Sequence, residues 1–147
     1  MSIIEARQII TELANKLFMY TDSRDWQKLL DEVFAEYVSF DMSSAGGEPV
    51  QSMKAHDICK LWKQGFSNID AVHHQAGHYI ITVNERVTEA DIYAYAVATH
   101  FKKSAKRGNT RTFVGSYDLQ AIVTDSGWRL SSFKYNLTYV DGNATLE

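Results

Sequence analysis

TDSGWRLSSFKYNLTYV, residues 124–140, reads as a tight turn followed by one long strand. Asp125-Ser126-Gly127 lies between two alternating runs, a hairpin signal. One side of the strand reads Leu130, Ser132, Lys134, Asn136; the other reads Ser131, Phe133, Tyr135, Leu137, Tyr139. The aromatic side is too apolar for water. It either joins a core or pairs with a second subunit, and a homodimer is the expected solution for the sheet's outer face, two-fold pairing being the commonest oligomer.

Upstream, three more segments have the same character. Strand cores are expected at His78–Val83, Ile92–Phe101 and Thr112–Val123, besides Trp128–Tyr139, with turns at Asn84-Glu85 and Gly108-Asn109. The first third is helical instead. Ser2-Ile3-Ile4-Glu5 is a capping box, and Ala6, Ile10, Leu13, Leu17 and Tyr20 follow at helical spacing. Thr21-Asp22-Ser23 interrupts that stripe. Trp26, Leu29, Leu30, Val33 and Phe34 predict a second helix. Tyr37–Phe40 predicts a short strand, residues 43–49 a loop, and Ser52 a cap for a third helix running to about Gly65. Helices followed by long antiparallel strands define an α+β domain, with helices on one face of a sheet.

The bulk numbers narrow the function. One domain spans the 147 residues, with Leu146-Glu147 set aside as native or a tagging remnant. Eight Tyr, seven Phe and three Trp exceed the needs of a plain core and predict a lined pocket or an interface. The net charge of −3 gives no attraction to nucleic acid or to an anionic membrane. The single cysteine, Cys59, forbids an intrachain disulfide and reads as a small buried residue. The N-terminus lacks a signal-peptide pattern, and no run reaches the roughly 20 apolar residues of a membrane span. The cytoplasm is the expected compartment.

Several short elements in this order resemble the SnoaL-like branch of the nuclear transport factor 2-like superfamily, which includes polyketide cyclases, scytalone dehydratase and bile-acid 7α-dehydratase. They are Tyr20-Thr21-Asp22-Ser23-Arg24-Asp25-Trp26, Phe40-Asp41, His73-His74, Gly115-Ser116-Tyr117 and Gly127-Trp128-Arg129-Leu130. The resemblance implies three helices and a strongly bent antiparallel sheet wrapped as a cone around one pocket. It also implies that a Tyr and an Asp from the helices face a His from the sheet. The matching positions are Tyr20, Asp25 and His73, with His100 near a second histidine on the next strand. Where some members place an arginine on the last strand, this chain has Lys134. Trp26, Phe40 and Lys134 are the expected ligand contacts.

Those parts suit one chemistry. A neutral imidazole abstracts a proton near pH 7, a carboxylate on its other nitrogen fixes the tautomer, and a tyrosine hydroxyl donates to a developing enolate. The expected function is a lyase, isomerase or cyclase acting on a hydrophobic carbonyl compound, without metal or organic cofactor. Each residue also has a structural reading. Asp25 suits the first turn of a helix, Tyr20 continues an apolar stripe, and Asp22 rather than Asp25 is an equal partner for the histidine. His73, His74 and His78 do not make a metal site, since His74 and His78 are about 13 Å apart on a strand and His73 faces the other way. Lys102, Lys103, Lys106, Arg107 and Arg111 read as a solvated hairpin turn. Two rivals remain: a non-catalytic binding protein with a closed pocket, and an assembly module with a filled cone. Tyr20, Asp25 and His73 within hydrogen-bond or one-water reach favour the enzyme, and side chains pointing apart favour the rivals.

Overall fold

The computed structural model describes all 147 residues. Helix α1 runs Ile3–Asp22, with the reciprocal Ser2–Glu5 capping box expected from the sequence. One turn of helix, α2 (Trp26–Lys28), continues into a wider π-turn at Leu29–Val33. Strand β1 (Phe34–Asp41), strand β2 (Gln51–Lys54) and helix α3 (Ala55–Gly65) follow. Four long strands complete the chain: β3 (Ala71–Val83), β4 (Glu89–Phe101), β5 (Thr110–Thr124) and β6 (Gly127–Gly142). They form one curved, open six-stranded sheet in the order β2-β1-β6-β5-β4-β3. Every pairing is antiparallel except β1 with β6, which runs parallel.

Two boundaries differ from the sequence reading. The second helix stops short because Phe34–Asp41 is taken into the sheet, between β6 and β2. Ser52 does not cap the third helix; it pairs with Ser39 in β2, and the helix starts at Ala55 without a side-chain cap. Strand β3 begins at Ala71, so His73 and His74 open it as expected, and a register shift after Gly77 places His78 at φ 54°.

The concave face is made by strict alternation in β4. Ala90, Ile92, Ala94, Ala96, Ala98 and His100 all point inward and are buried. Four alanines in that row leave space, and α1 fills part of it with Ile10, Leu13, Leu17 and Phe18, each at most 5% exposed. Burying each such side chain contributes roughly 1.5–3 kcal/mol. On β6, Leu130 and Phe133 are both buried despite being three apart. A bulge explains it: Gln120 pairs with Ser132 and Ala121 with Leu130, so Ser131 is the extra residue and the alternation is reset. Phe133 and Tyr135 therefore line the inside of the cone, so they do not require a second subunit to cover them. Cys59 is buried as expected, and desolvation pushes its thiol up to about 11.

No helix is long and apolar enough to cross a membrane.

Candidate functional site

The part of the cone that the helices leave open is a cavity of about 520 Å³, within the usual range for small-molecule sites. Leu17, Phe18, Phe40, Phe113 and Phe133 supply apolar wall. The polar groups are few: Gln51, His74, His100, Arg111, Tyr117 and Tyr135 from the sheet, Thr21 from α1, and Glu48 from the loop after β1.

His74 has an acidic partner, Asp22. Its Nδ1 lies 2.5 Å from Asp22 Oδ1, and its backbone N–H donates to Asp22 Oδ2 at 2.8 Å. Strand β3 is the edge of the sheet, so its outward N–H groups have no neighbouring strand to meet. The carboxylate satisfies one of them and the imidazole together. Asp22 is the last residue of α1, where the helix dipole disfavours an anion. Its placement there answers to His74 rather than to the helix. Phe18 packs on the His74 ring at 5.5 Å between centroids, and the His74 side chain is only 10% exposed. With Nδ1 held by Asp22, the other ring nitrogen, Nε2, has no protein partner at the cavity wall.

His100 sits on the neighbouring strand. His74 pairs with Ala98, so His100 is its diagonal neighbour on the same inward face, at a separation of roughly 7–8 Å. Arg111 pairs with His100 across β4 and β5, and its Nε donates to His100 Nδ1 at 2.9 Å. The guanidinium also donates to the Ala144 carbonyl at 3.1 Å and lies over the Phe113 ring. Burial first, then the Arg111 charge and His74, holds His100 down to about 4. Tyr117 is buried among Phe18, Phe133 and Tyr135, and desolvation pushes its hydroxyl well above the ordinary tyrosine range.

The structure does not bring Tyr20, Asp25 and His73 together. Tyr20 turns away from the cavity, its hydroxyl donating to Glu32 at 3.2 Å with Lys28 over its ring. Asp25 caps α2 by accepting from the Lys28 N–H, the structural role that its position allowed. His73 pairs with Thr99 on the outer face, is 71% exposed, and comes no closer than 4.0 Å to Asp22. The distance test set for these three residues therefore fails, and the histidine–carboxylate contact belongs to Asp22 and His74. Alternation along β3 puts only one of two adjacent histidines inside.

Of the expected ligand contacts, Phe40 lines the cavity and stacks on Phe133 at 5.4 Å. Trp26 lies behind the wall, stacked on Phe66. Lys134 is exposed, because the reset alternation of β6 turns it outward opposite Asp118. Arg111 was missed. Its basic neighbours occupy the turn, but β5 begins at Thr110, so Arg111 is already a strand residue facing inward.

A bent sheet closed on one side by helices around a single pocket is the architecture of the nuclear transport factor 2-like superfamily. The chain belongs to the SnoaL-like domain family, which matches residues 2–134. Among solved structures it is similar to the Kfla4162 protein of Kribbella flavida, at 28% identity and a TM-score of 0.91 over 99% of this chain and 98% of the other. A protein of Novosphingobium aromaticivorans provisionally named an aromatic ring hydroxylase shares 23% identity and a TM-score of 0.80, with 99% of each chain covered. A second protein of that organism, provisionally named a scytalone dehydratase, shares 15% identity and a TM-score of 0.77 over 95% of this chain and 89% of the other. No significantly similar curated protein is found.

Proposed function

We propose that this protein is a small-molecule lyase or isomerase that abstracts a proton next to a carbonyl in its apolar cavity. The observation that carries the reading is the Asp22–His74 pair, placed at the cavity wall with Nε2 of the imidazole free. His74 Nε2 takes the proton from carbon. The C–H electron pair moves into the carbon–carbon bond and the carbonyl oxygen gains the charge as an enolate. Collapse of the enolate then expels a β-hydroxyl, which leaves as water with the proton returned by the imidazolium. Alternatively the proton is returned to a different carbon and the product is an isomer. Asp22 stabilises the imidazolium and holds its orientation, and a general base so placed contributes roughly 10²–10⁴-fold. Tyr117 takes over the donor role expected of Tyr20, since its hydroxyl is neutral and at the cavity wall. The fold shared with a provisionally named scytalone dehydratase is consistent with an elimination.

The open cavity weighs against a pure assembly module, which requires a filled cone. A homodimer remains part of the proposal. Ile80, Tyr93, Val97 and Tyr139 are exposed apolar positions on the long strands, and a second copy would cover part of that surface.

The test is deuterium exchange. The protein is incubated in D₂O with a panel of cyclic enones and β-hydroxyketones, and loss of the α-proton signal is followed by NMR. Exchange that disappears in Asp22→Asn and His74→Gln supports the reading. Exchange on no member of the panel, or exchange indifferent to both substitutions, rejects it in favour of a binding role.

A further inference from the structure

The two cavity histidines have partners of opposite character. Asp22 is an acceptor, so His74 Nδ1 carries a proton, and in the neutral ring Nε2 presents a lone pair. Arg111 Nε is a donor and never an acceptor, so His100 Nδ1 must present its lone pair to it. The single proton of neutral His100 is then on Nε2.

We infer that Arg111 locks His100 as a fixed Nε2–H donor, making His100 a second donor to the substrate oxygen together with Tyr117 and excluding it as a second base. The role at the substrate rests on the proposed proton-abstraction chemistry; the tautomer lock does not. Arg111 acts through His100 and is a positioning residue. The lock is built rather than incidental. Arg111 and His100 are register partners on β5 and β4, and the guanidinium is held from two further sides by the Ala144 carbonyl and the Phe113 ring. His100 is 8% exposed, with Phe66 edge-on at 5.4 Å and Phe113 at 5.2 Å. The charged and titratable groups around it are Arg111, His74 and Asp22, and the arginine is the one in contact. Burial and that positive neighbour both keep the ring neutral, so no second proton reaches Nδ1 near pH 7. Base and donor thus stand diagonally on adjacent strands of one sheet face, roughly 7–8 Å apart. A carbonyl compound with an acidic C–H beside the C=O fits across the pair, carbon toward His74 and oxygen toward His100.

The test is the tautomeric state of each histidine in the uniformly ¹⁵N-labelled protein, read from long-range ¹H–¹⁵N correlations between pH 5 and pH 8. His100→Gln assigns the His100 signals. The expected result is a protonated Nε2 and a pyridine-like Nδ1 for His100 throughout, and the reverse for His74 near neutral pH. Arg111→Met is expected to abolish the fixed pattern of His100, giving averaged or doubly protonated signals. Arg111→Lys serves if the methionine variant does not fold, and is expected to blur the pattern, lacking the planar Nε–H that meets Nδ1. A His100 that carries its proton on Nδ1, that is cationic near pH 7, or that keeps its tautomer in both Arg111 variants overturns the inference. If the tautomers are as stated but no carbonyl compound exchanges deuterium, the lyase reading fails while the lock stands.

Discussion

Acid should destabilise this protein through His100, in a pH window that its carboxylates do not share. The imidazole is neutral in the folded protein because it is buried, faces the Arg111 charge and gives its Nδ1 lone pair to that side chain. Unfolding releases it to water, where it titrates at about 6.5. Above that value neither state binds the proton and stability is unaffected. Below it the unfolded state takes up a proton that the folded state refuses, until the folded group itself titrates at about 4. Stability is therefore present above pH 6.5 and is lost as pH falls toward 4, by about 3 kcal/mol at the lower end. Three carboxylates titrate lower. Hydrogen bonds from the Ser2 backbone and side chain hold Glu5 below its ordinary value. Lys16 does the same for Glu32, and Ser43 for Asp41. Their contribution is lost only as pH falls below the ordinary carboxylate range.

Urea unfolding at pH 7, 6, 5 and 4, for the wild type and His100→Gln, isolates the term. Glutamine keeps a polar side chain but does not titrate, and the carboxylates are common to both proteins and cancel. Between pH 7 and pH 4 the wild type should lose about 3 kcal/mol more than the variant, a difference of roughly 1–3 M in the urea midpoint. Parallel pH profiles would refute the reasoning, since they would mean that His100 is equally willing to accept a proton in both states. A wild type that gains stability in acid relative to the variant would show a cationic His100, contrary to its contact with Arg111.

Gly115→Ala should cost roughly 1–3 kcal/mol in a urea titration, because a Cβ there collides with the Asn136 carbonyl and lies 2.6 Å from the Tyr135 hydroxyl. Tyr135→Phe should leave stability unchanged or raise it slightly, since that hydroxyl is buried without a hydrogen-bond partner. A loss above about 1 kcal/mol would reveal a partner for it. Ala98→Phe should fill the space between His74 and His100 and weaken binding of a naphthol probe at least about tenfold, while circular dichroism stays unchanged. Undiminished binding would place the ligand elsewhere.

The fold was legible because its signals are repetitive. Helical spacing in α1 and long alternating runs in the second half each involve many residues, and an error of one or two positions leaves the class intact. The candidate site was less legible because it depends on single-residue parity. His73 and His74 differ by one position and fall on opposite faces of β3, and the strand pattern alone does not say which face is the concave one. The bulge at Ser131 reverses the sides of β6, which sent Lys134 outward and Phe133 inward. Asp22 and Asp25 are both cap-type residues three apart, and only the docking of α1 against the β3 edge decides between them. Arg111 was hidden by its neighbours, for a basic run across a turn gives no sign of the residue where the strand resumes.

These corrections converge on one row across the sheet. Adjacent strands β3, β4 and β5 carry His74, His100 and Arg111 on the same inward face, and α1 ends where Asp22 meets the β3 edge. The acidic partner therefore approaches from outside the edge strand and the basic partner from inside the sheet. On the proposed chemistry, chemically identical side chains acquire opposite duties from that order: the ring beside the carboxylate is the acceptor of a proton, and the ring beside the guanidinium is a donor. Exchanging the two partners would reverse the polarity of the cavity without altering its shape. The four alanines of β4 matter in the same way, since larger side chains there would close the gap between the two rings. On the proposed chemistry, the cavity selects a carbon acid whose carbonyl oxygen reaches from His74 to the diagonal His100, with the aromatic wall holding the rest of the molecule out of water.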